Sequence, residues 1–326
     1  MLEMISNISA KGVSRLYTRL RLFMGKNSCA VGVVIVTYNR LEKLKKTLMS
    51  YESQSYLPQC IIVVDNASSD GTHSYLQEWK SDVKTYNKYV LRLEENKGGS
   101  GGFYEGEKFA LGLNLDWVMV GDDDAYPSSD YISGILKYVY NSQMNISVAC
   151  GSVIENGIFK HRNRIGKIWS IDFLDDISQE EYELPLLNID SAGYLGLIIN
   201  VAKMREVGLI NKDFFIWGDD VEHVLRLKKV GTIICLPQYK IIHDADRGNE
   251  SLSWKTYYGH RNKMVIIKKL WPLRFPVVLL ISLIKAILCP FRGRPIKEII
   301  VRYTAIWDAL CNNLGVHCVY RPGWKP

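Results

Sequence analysis

The chain has 326 residues, of which 47% are hydrophobic, so it can bury a sizeable core in one large domain with an appendage or in two domains. Its net charge of +7 is too small to indicate a nucleic-acid partner. The seven cysteines show neither a CxxC pair nor zinc-ligand spacing, and an odd, scattered set favours a reducing cytoplasm over a disulfide framework.

Residues 1–29 predict a basic amphipathic helix and not a secretory signal. Apolar side chains recur at helical spacing at Val13, Leu16, Leu20 and Phe23, among five basic residues and a single Glu. Such a segment either packs against the domain or lies on a membrane surface.

From residue 31 onward, strand and helix patterns alternate. Strands are predicted over 31–37, 60–64, 89–93 and 116–120, and helices over 40–51, 72–79 and 103–113. Later strands are predicted near 148–154, 195–200, 232–235 and 239–243, and helices near 129–140, 201–207 and 220–229. Residues 158–187 are expected to form a surface excursion that could act as a flexible lid. This alternation predicts an α/β fold with a mostly parallel sheet covered on both faces.

Three consecutive carboxylates, Asp122, Asp123 and Asp124, end the fourth predicted strand. Like charges this close repel one another unless a cation lies among them, and Mg²⁺ or Mn²⁺ is the usual partner of oxygen ligands. Ligands of open α/β sheets bind outside the carboxyl ends of the strands, where this triplet is expected. The alternative is a solvated acidic turn that contains a helix-capping Asp.

Polar residues also follow the first three strands. Thr37 and Arg40 follow the first strand, Asp65 follows the second, and a glycine-rich segment, 96–103, follows the third. A glycine-rich loop lets the backbone approach a ligand closely, and the helix after it offers free N–H groups to negative charge. The segment matches neither a phosphate-binding G-x-x-x-x-G-K-[ST] loop nor a dinucleotide fingerprint.

A further group of polar residues lies downstream. Asp219 and Asp220 open a predicted helix after an aromatic run that ends at Trp217, and His243 ends a later strand. A carboxylate at a helix start can act as a general base, and a histidine near an acidic cluster can ligate a metal. Helix capping by Asp220 and a hydrogen-bonded core position for His243 are the alternatives.

Residues 246–326 differ in character from the rest of the chain. Ten Lys and Arg stand against one Glu between 261 and 302, around the apolar run 275–289. This run is too short to span a bilayer and predicts an interfacial or re-entrant helix whose basic flanks meet anionic headgroups. A buried core helix is the alternative.

Segments 34–40 and 63–71, together with the Asp triplet, resemble the family 2 glycosyltransferases of the GT-A (nucleotide-diphospho-sugar transferase) fold, over roughly residues 31–245. Segments 96–103 and 217–222, with His243, are similar to the bacterial galactofuranosyltransferase and rhamnosyltransferase branch. The resemblance implies a Rossmann-like catalytic domain over 30–245 between the basic segment 1–29 and a helical, membrane-proximal region over 246–326.

The resemblance also implies roles for individual residues. The nucleotide-sugar site would comprise Thr37, Arg40, Asp65, Asn96, Gly98, Gly99 and Asp123. A divalent metal, Mn²⁺ or Mg²⁺, would be held by Asp122, Asp124 and His243. Asp220 would be the general base, with Trp217 and Asp219 near the acceptor. Because Gly218 separates Trp217 from the two acids, Asp219 stays an alternative base. The helix that follows favours Asp220 as the base and Asp219 as the N-cap.

The function that the resemblance implies is inverting transfer of galactofuranose from UDP-galactofuranose to a hydroxyl of a lipid-linked glycan in bacterial surface polysaccharide synthesis. The enzyme would be cytoplasmic and peripheral on the inner face of the cell membrane. dTDP-rhamnose or another UDP-hexose is the alternative donor. A non-catalytic membrane scaffold that binds sugar nucleotides is the alternative from a different class.

Overall fold

The computed structural model describes residues 29–159, 163–170, 173–245 and 252–326. The predicted basic helix within 1–29 therefore lies outside the described residues.

A ten-stranded mixed sheet forms the centre of the described chain, in the order β10-β13-β6-β12-β4-β1-β2-β3, with β5 paired to β13 and β7 to β6. Its strands are β1 Val31–Thr37, β2 Cys60–Asp65, β3 Asn87–Arg92, β4 Trp117–Asp122, β5 Ala125–Pro127, β6 Ile146–Glu155, β7 Ile158–Phe159, β10 Leu187–Asn188, β12 Leu197–Asn200 and β13 Thr232–His243. Strands β4, β1, β2 and β3 are parallel neighbours, and β12 is antiparallel between β4 and β6. The predicted mostly parallel sheet is confirmed.

Nine α-helices accompany this sheet in the part of the chain that the structure describes. They are α1 Leu41–Glu52, α2 Thr72–Ser81, α3 Gly98–Leu111, α4 Tyr131–Asn141, α5 Val201–Val207, α6 Asp219–Lys228, α7 Trp254–Leu270, α8 Phe275–Ile287 and α9 Lys297–Cys311. Alternate residues of the central strands enter separate cores on the two faces: Val34 and Ile62 pack on one side, and Val33 and Ile61 on the other. This alternation follows from the two-residue repeat of a strand, and both faces are covered because the parallel strands are apolar throughout.

The glycine-rich segment differs from the prediction, because it is the first part of α3 and not a loop before a helix. A Cβ at Gly102 would lie 2.5 Å from Val36 Cγ1, and one at Gly106 would lie 2.3 Å from Val34 Cγ1. Several glycines are therefore needed for close packing of α3 on β1, a role that the loop interpretation did not include.

Two other regions also differ from the prediction. Residues 232–243 form one strand with irregular pairing to β6 and not two separate strands. The expected excursion at 158–187 contains β8 Arg164–Ser170 and β9 Phe173–Asp176, which pair with β11 Ser191–Ala192 in a small three-stranded sheet. Much of this stretch is thus ordered by backbone hydrogen bonds.

The C-terminal helices share a core with the preceding part of the chain. Phe214 and Leu225 pack in one apolar cluster with Met264, Ile266 and Ile306. No described helix has the length and apolarity that crossing a membrane requires. Helix α8 instead packs one side on this cluster and exposes the other, which includes Val277, Leu280 and Ile284.

The basic residues of this region do not all face solvent, contrary to the expectation that they form basic flanks. Arg261 is buried, and its guanidinium donates to backbone carbonyls. Lys268 donates to Leu310 O at 2.9 Å, and Lys269 pairs with Glu222 at 2.6 Å. A smaller set, which includes Arg274, Arg294 and Lys297, is exposed.

Candidate active site

A cleft of about 250 Å³ opens at the carboxyl ends of β1 and β4. Of the predicted site residues, its wall includes Thr37, Arg40, Asn96, Gly98, Gly99, Asp122 and Asp123. The remaining lining comes from the same strand ends, from the aromatic segment before α6 and from the C-terminal region: Val36, Tyr38, Asn66, Phe215, Ile216, Trp254, Lys255 and Pro322. The cleft lining does not include the other predicted residues, namely Asp65, Asp124, His243, Trp217, Asp219 and Asp220.

The Asp triplet forms an electrostatic network with residues that follow β1. Asp123 accepts a hydrogen bond from Thr37 Oγ1 at 2.7 Å and a longer one from Arg40 at 3.3 Å. Arg40 also donates to Asp124 at 2.7 Å. Burial raises the pKa of Asp123 to about 6, opposed by the Arg40 charge, and burial with its two neighbours raises the pKa of Asp122 well above its usual range. The network therefore holds more negative charge than Arg40 neutralises.

His243 lies beside this network at the end of β13. Its Nε2 is 3.5 Å from Asp124 Oδ1, and its Nδ1 is 3.3 Å from Glu155 Oε2. Burial acts to lower the pKa of His243, but the contacts with Asp124, Asp122 and Glu155 raise it overall. Asp124 and Glu155 thus both lie beside the imidazole, and Asp122 is near enough to act on it electrostatically.

These residues fit a divalent cation in the type of ligand that they offer. Two ligands of one octahedral ion at ~2.1 Å lie about 3 Å apart, close to the separation of His243 Nε2 and Asp124 Oδ1. A cation would also relieve the crowding that raises the pKa of Asp122. In the present arrangement Arg40 neutralises Asp124, and no three His, Cys, Asp or Glu of the described residues are already grouped as metal ligands. Metal binding would therefore require Arg40 to turn away.

The structure places Asp65 below the cleft surface, where its carboxylate is fully buried. One oxygen accepts from Ser68 N at 2.8 Å, and the other accepts from Arg92 at 2.7 Å. The next residue, Asn66, donates to Gly98 O at 2.8 Å. The expected direct contact of Asp65 with a nucleotide is therefore corrected: as placed, Asp65 braces the loop after β2, and Asn66 reaches the cleft.

Asn96 and the first glycines of α3 shape one wall of the cleft. Asn96 Oδ1 accepts from Gly98 N at 2.8 Å, which fixes the turn into the helix. Gly98 has a φ of +71°, and a Cβ there would lie 2.0 Å from Phe215 O, so both its conformation and its neighbour require glycine. A Cβ at Gly99 would have no neighbour within 4 Å, so the backbone here faces open space.

The two acids that open α6 differ in exposure. The N-cap is Gly218, with a φ of +83°, so the expected N-cap role of Asp219 is wrong and Asp219 is the first helical residue. Asp219 is buried, whereas Asp220 is partly exposed and accepts from Val221 N at 2.7 Å. Burial raises the pKa of Asp219 to about 7, with a contribution from the Asp220 charge, and burial also raises the pKa of Asp220. Asp220 is the more accessible candidate base.

The sequence interpretation missed two buried residues of α7 that fix the segment before α6. Asn262 Nδ2 lies 2.9 Å from Phe214 O, 2.9 Å from Ile216 O and 2.8 Å from Trp217 O. Arg261 donates to Phe214 O at 3.0 Å. Phe215 and Trp217 have φ values of 67° and 64°, which non-glycine residues seldom adopt. The signal was available, since Asn262 is one turn from buried Tyr258 and one turn from buried Ile266 on the apolar face of α7.

A buried polar cluster that joins α3 to α6 was also missed. Tyr194 OH donates to Glu107 Oε1 at 2.7 Å and makes a short hydrogen bond to His223 Nδ1. Glu107 Oε2 accepts from Ile210 N at 2.9 Å. The backbone N–H of Tyr194 also donates to Asp220 and lowers its pKa against the effect of burial. The cluster therefore connects the glycine-rich helix with the helix that carries the candidate base.

Comparisons with known proteins agree with this geometry. Galactofuranosyltransferase GlfT1 of Mycolicibacterium smegmatis is 30% identical to the chain over 206 residues, and GlfT1 of Mycobacterium tuberculosis is 28% identical over 211 residues. Each match covers 62% of this chain and 66% of the relative, so the chain spans just under two thirds of the length of these curated relatives.

The architecture is also found among solved structures. The crystal structure of GalNAc-T7 with UDP, GalNAc and Mn²⁺ superposes with a TM-score of 0.61 at 17% identity and covers 76% of this chain and 49% of that one. A likeness at this identity concerns the fold, and it confirms the predicted GT-A architecture. The Glycosyl transferase family 2 model matches residues 32–194, half of the chain. The chain therefore belongs to glycosyltransferase family 2.

Proposed function

We propose that the chain is an inverting galactofuranosyltransferase that uses UDP-galactofuranose and a lipid-linked glycan. The observation that carries the proposal is the position of Asp220, which is partly exposed at the start of α6. The segment before α6 packs against the glycine-rich wall of the cleft, which is also lined by Asp122 and Asp123. Ser100 N donates to Phe215 O at 3.2 Å and links the two parts. The choice of donor sugar rests on the galactofuranosyltransferase relatives.

The cleft suits a nucleotide diphosphate on chemical grounds. Thr37 and Arg40 line the cleft, and the amino terminus of α3 meets it at Gly98 and Gly99, where the partial positive charge of the helix suits phosphate oxygens. Asp123 would accept from a ribose or sugar hydroxyl. When bound, a divalent cation at Asp122, Asp124 and His243 would supply Lewis-acid stabilisation of the charge on the departing diphosphate.

The reaction is a single displacement with inversion. Asp220 takes the proton from the acceptor hydroxyl while that oxygen forms a bond to the anomeric carbon of the donor sugar. The bond between the anomeric carbon and the diphosphate oxygen breaks, and its electron pair leaves with UDP. Burial raises the pKa of Asp220, which favours its role as a proton acceptor, and hydrogen bonds from the backbone N–H groups of Val221 and Tyr194 oppose that rise. General-base catalysis of this kind typically contributes about 10²–10⁴-fold.

The C-terminal region is suited to a membrane surface, where a lipid-linked acceptor would be found. Leu273 is 95% exposed and Phe291 is 87% exposed, and they flank the exposed apolar side of α8. Trp307, on α9, is 65% exposed. With exposed basic residues nearby, this surface favours peripheral binding to an anionic leaflet. We place the enzyme on the cytoplasmic face, with residues 30–245 as the catalytic domain and 246–326 as the membrane-facing region.

A donor panel tests the proposal. The purified chain is incubated with Mn²⁺, a lipid-linked glycan acceptor and, in turn, UDP-galactofuranose, UDP-galactopyranose, UDP-N-acetylglucosamine and dTDP-rhamnose, and nucleotide release and glycan mass are measured. Transfer of galactofuranose with inverted anomeric configuration is expected, and Asp220→Asn provides the inactive control. Preferred transfer from dTDP-rhamnose or from a pyranose donor would contradict the donor assignment, and binding without turnover of any donor would indicate the non-catalytic alternative.

A further inference from the structure

Three residues from beyond position 246 line the cleft together with the strand ends. Trp254 and Lys255 open α7, and Pro322 lies near the carboxyl end of the chain. The C-terminal region thus contributes directly to the cleft, in addition to its exposed apolar surface.

Two indole rings hold the position of Lys255. Its Nζ lies 5.7 Å from the ring centroid of Trp254 and 6.0 Å from that of Trp217, within the range of cation–π attraction. Trp254 is in turn packed against Phe215 and Tyr258, with ring centroids 5.9 Å and 5.8 Å away. These contacts place the Lys255 side chain beside two aromatic rings at the cleft that the residue lines.

The amino terminus of α3 also suits an anion. This helix of 14 residues meets the cleft at Gly98 and Gly99 and carries the partial positive charge of the helix dipole. The Lys255 ammonium and this helix terminus, which line the same cleft, both favour a negatively charged group such as a phosphate. A neutral sugar would gain little from the lysine.

We propose that Lys255, held between Trp217 and Trp254, binds a phosphate group of a substrate, either the diphosphate of the nucleotide donor or the diphosphate of the lipid-linked acceptor. The proposal rests on the proposed function and adds a binding residue that comes from the C-terminal region. The lysine would reach the phosphate as a point charge on a flexible chain, so its contribution depends on charge more than on shape.

The donor arm of the test measures UDP affinity by isothermal titration calorimetry in the presence of Mn²⁺. If the donor diphosphate is the ligand, Lys255→Gln weakens UDP binding about tenfold, as expected for one lost charge-assisted contact, and Lys255→Arg largely preserves it. Lys263→Gln, which removes a lysine about two turns along the same helix, serves as the matched control. Thermal unfolding of each variant shows whether the fold is kept, and retained binding in Lys255→Arg separates charge from packing.

The acceptor arm compares KM for a polyprenyl-diphosphate-linked glycan with KM for the same glycan as a phosphate-free alkyl glycoside. An increase confined to the diphosphate acceptor assigns the acceptor phosphate, a loss confined to UDP assigns the donor phosphate, and a loss in both arms shows that Lys255 serves both. Unchanged values in both arms, or an equal loss in Lys263→Gln, would overturn the proposal. UDP binding is measurable without any sugar transfer, so failure of the proposed function leaves the donor arm readable.

Discussion

Replacing Asn262 by Ala should lower kcat by displacing the candidate base while the protein still folds. The side chain is fully buried on α7, and its amide group reaches the carbonyls of Phe214, Ile216 and Trp217. Phe214 O keeps a second donor in Arg261, at 3.0 Å. The substitution therefore leaves two carbonyls, those of Ile216 and Trp217, without this donor.

The size of the effect follows from these two groups. Each buried polar group left unsatisfied costs about 1–3 kcal/mol, so the free energy of unfolding should fall by ~2–6 kcal/mol for the two groups. Trp217 has a φ of 64°, and a left-handed conformation of a non-glycine residue costs about 1–2 kcal/mol. Without the hydrogen bonds from Asn262, residues 214–217 can relax toward commoner backbone angles and move the start of α6. Because a misplacement of about 1 Å can cost ~10²-fold in rate, kcat should fall by one to two orders of magnitude.

The assay measures kcat, UDP affinity and thermal unfolding on the same preparation, well below the melting temperature of the variant. UDP affinity should change less than kcat, because the segment that Asn262 holds contributes Phe215 and Ile216 to the cleft lining while the strand ends lie outside it. Asn145→Ala is the matched control, since it removes one amide contact to a backbone carbonyl, Val230 O, away from the cleft. If the Asn262→Ala variant loses stability but keeps full kcat per folded molecule, Asn262 does not position the base.

Asp220→Asn should abolish turnover with little change in UDP affinity, and Asp219→Asn should be milder; the reverse order, measured by kcat and calorimetry, would move the base to Asp219. Because the base must be deprotonated and burial raises the pKa of Asp220, kcat should fall as pH drops from 8 to 5, and a flat profile over this range would contradict this. EDTA should remove activity and added Mn²⁺ should restore it, whereas full activity in EDTA would exclude the metal interpretation. Replacing Val277, Leu280 and Ile284 together by Gln should reduce co-sedimentation with anionic vesicles while nucleotide binding in solution persists, and unchanged sedimentation would locate membrane binding elsewhere.

The sequence alone predicted the features that depend on local pattern. Continuous apolar runs gave the central strands, and an abrupt change to polar residues marked their carboxyl ends at Thr37 and Asp122. In a parallel sheet these ends meet at one edge, so the strand-end residues were brought together without further information. His243 belongs to the same group because β13, although distant in sequence, ends close to Asp124.

Features that depend on packing between distant segments were not predictable in this way. Glycine usually marks a loop, but in α3 it permits close contact with β1, which shows only once the helix is placed on the sheet. Asp65 is a charged residue at a strand end, which favours a role in binding a ligand at the surface, yet Arg92 of the neighbouring strand β3 pairs with it below the surface. Asn262 lies in a region that the sequence interpretation described by its many basic residues. The carbonyls to which its side chain donates are 45 or more residues away in sequence.

These long-range contacts give the C-terminal region a role in building the cleft and in supporting the candidate base. Helix α7 contributes Lys255 to the cleft at its first turn, Asn262 to the segment before the candidate base at its middle, and Met264 to the core shared with α9. A chain ended at residue 245 would lose one wall of the cleft, leave the carbonyls of the aromatic segment without donors and expose Phe214 to solvent. Helix α7 thus supports the segment before the candidate base and also packs in the core on which the apolar helix α8 lies. The unit that performs catalysis must therefore include this helix, and the boundary near 245 separates sequence patterns more than it separates functions.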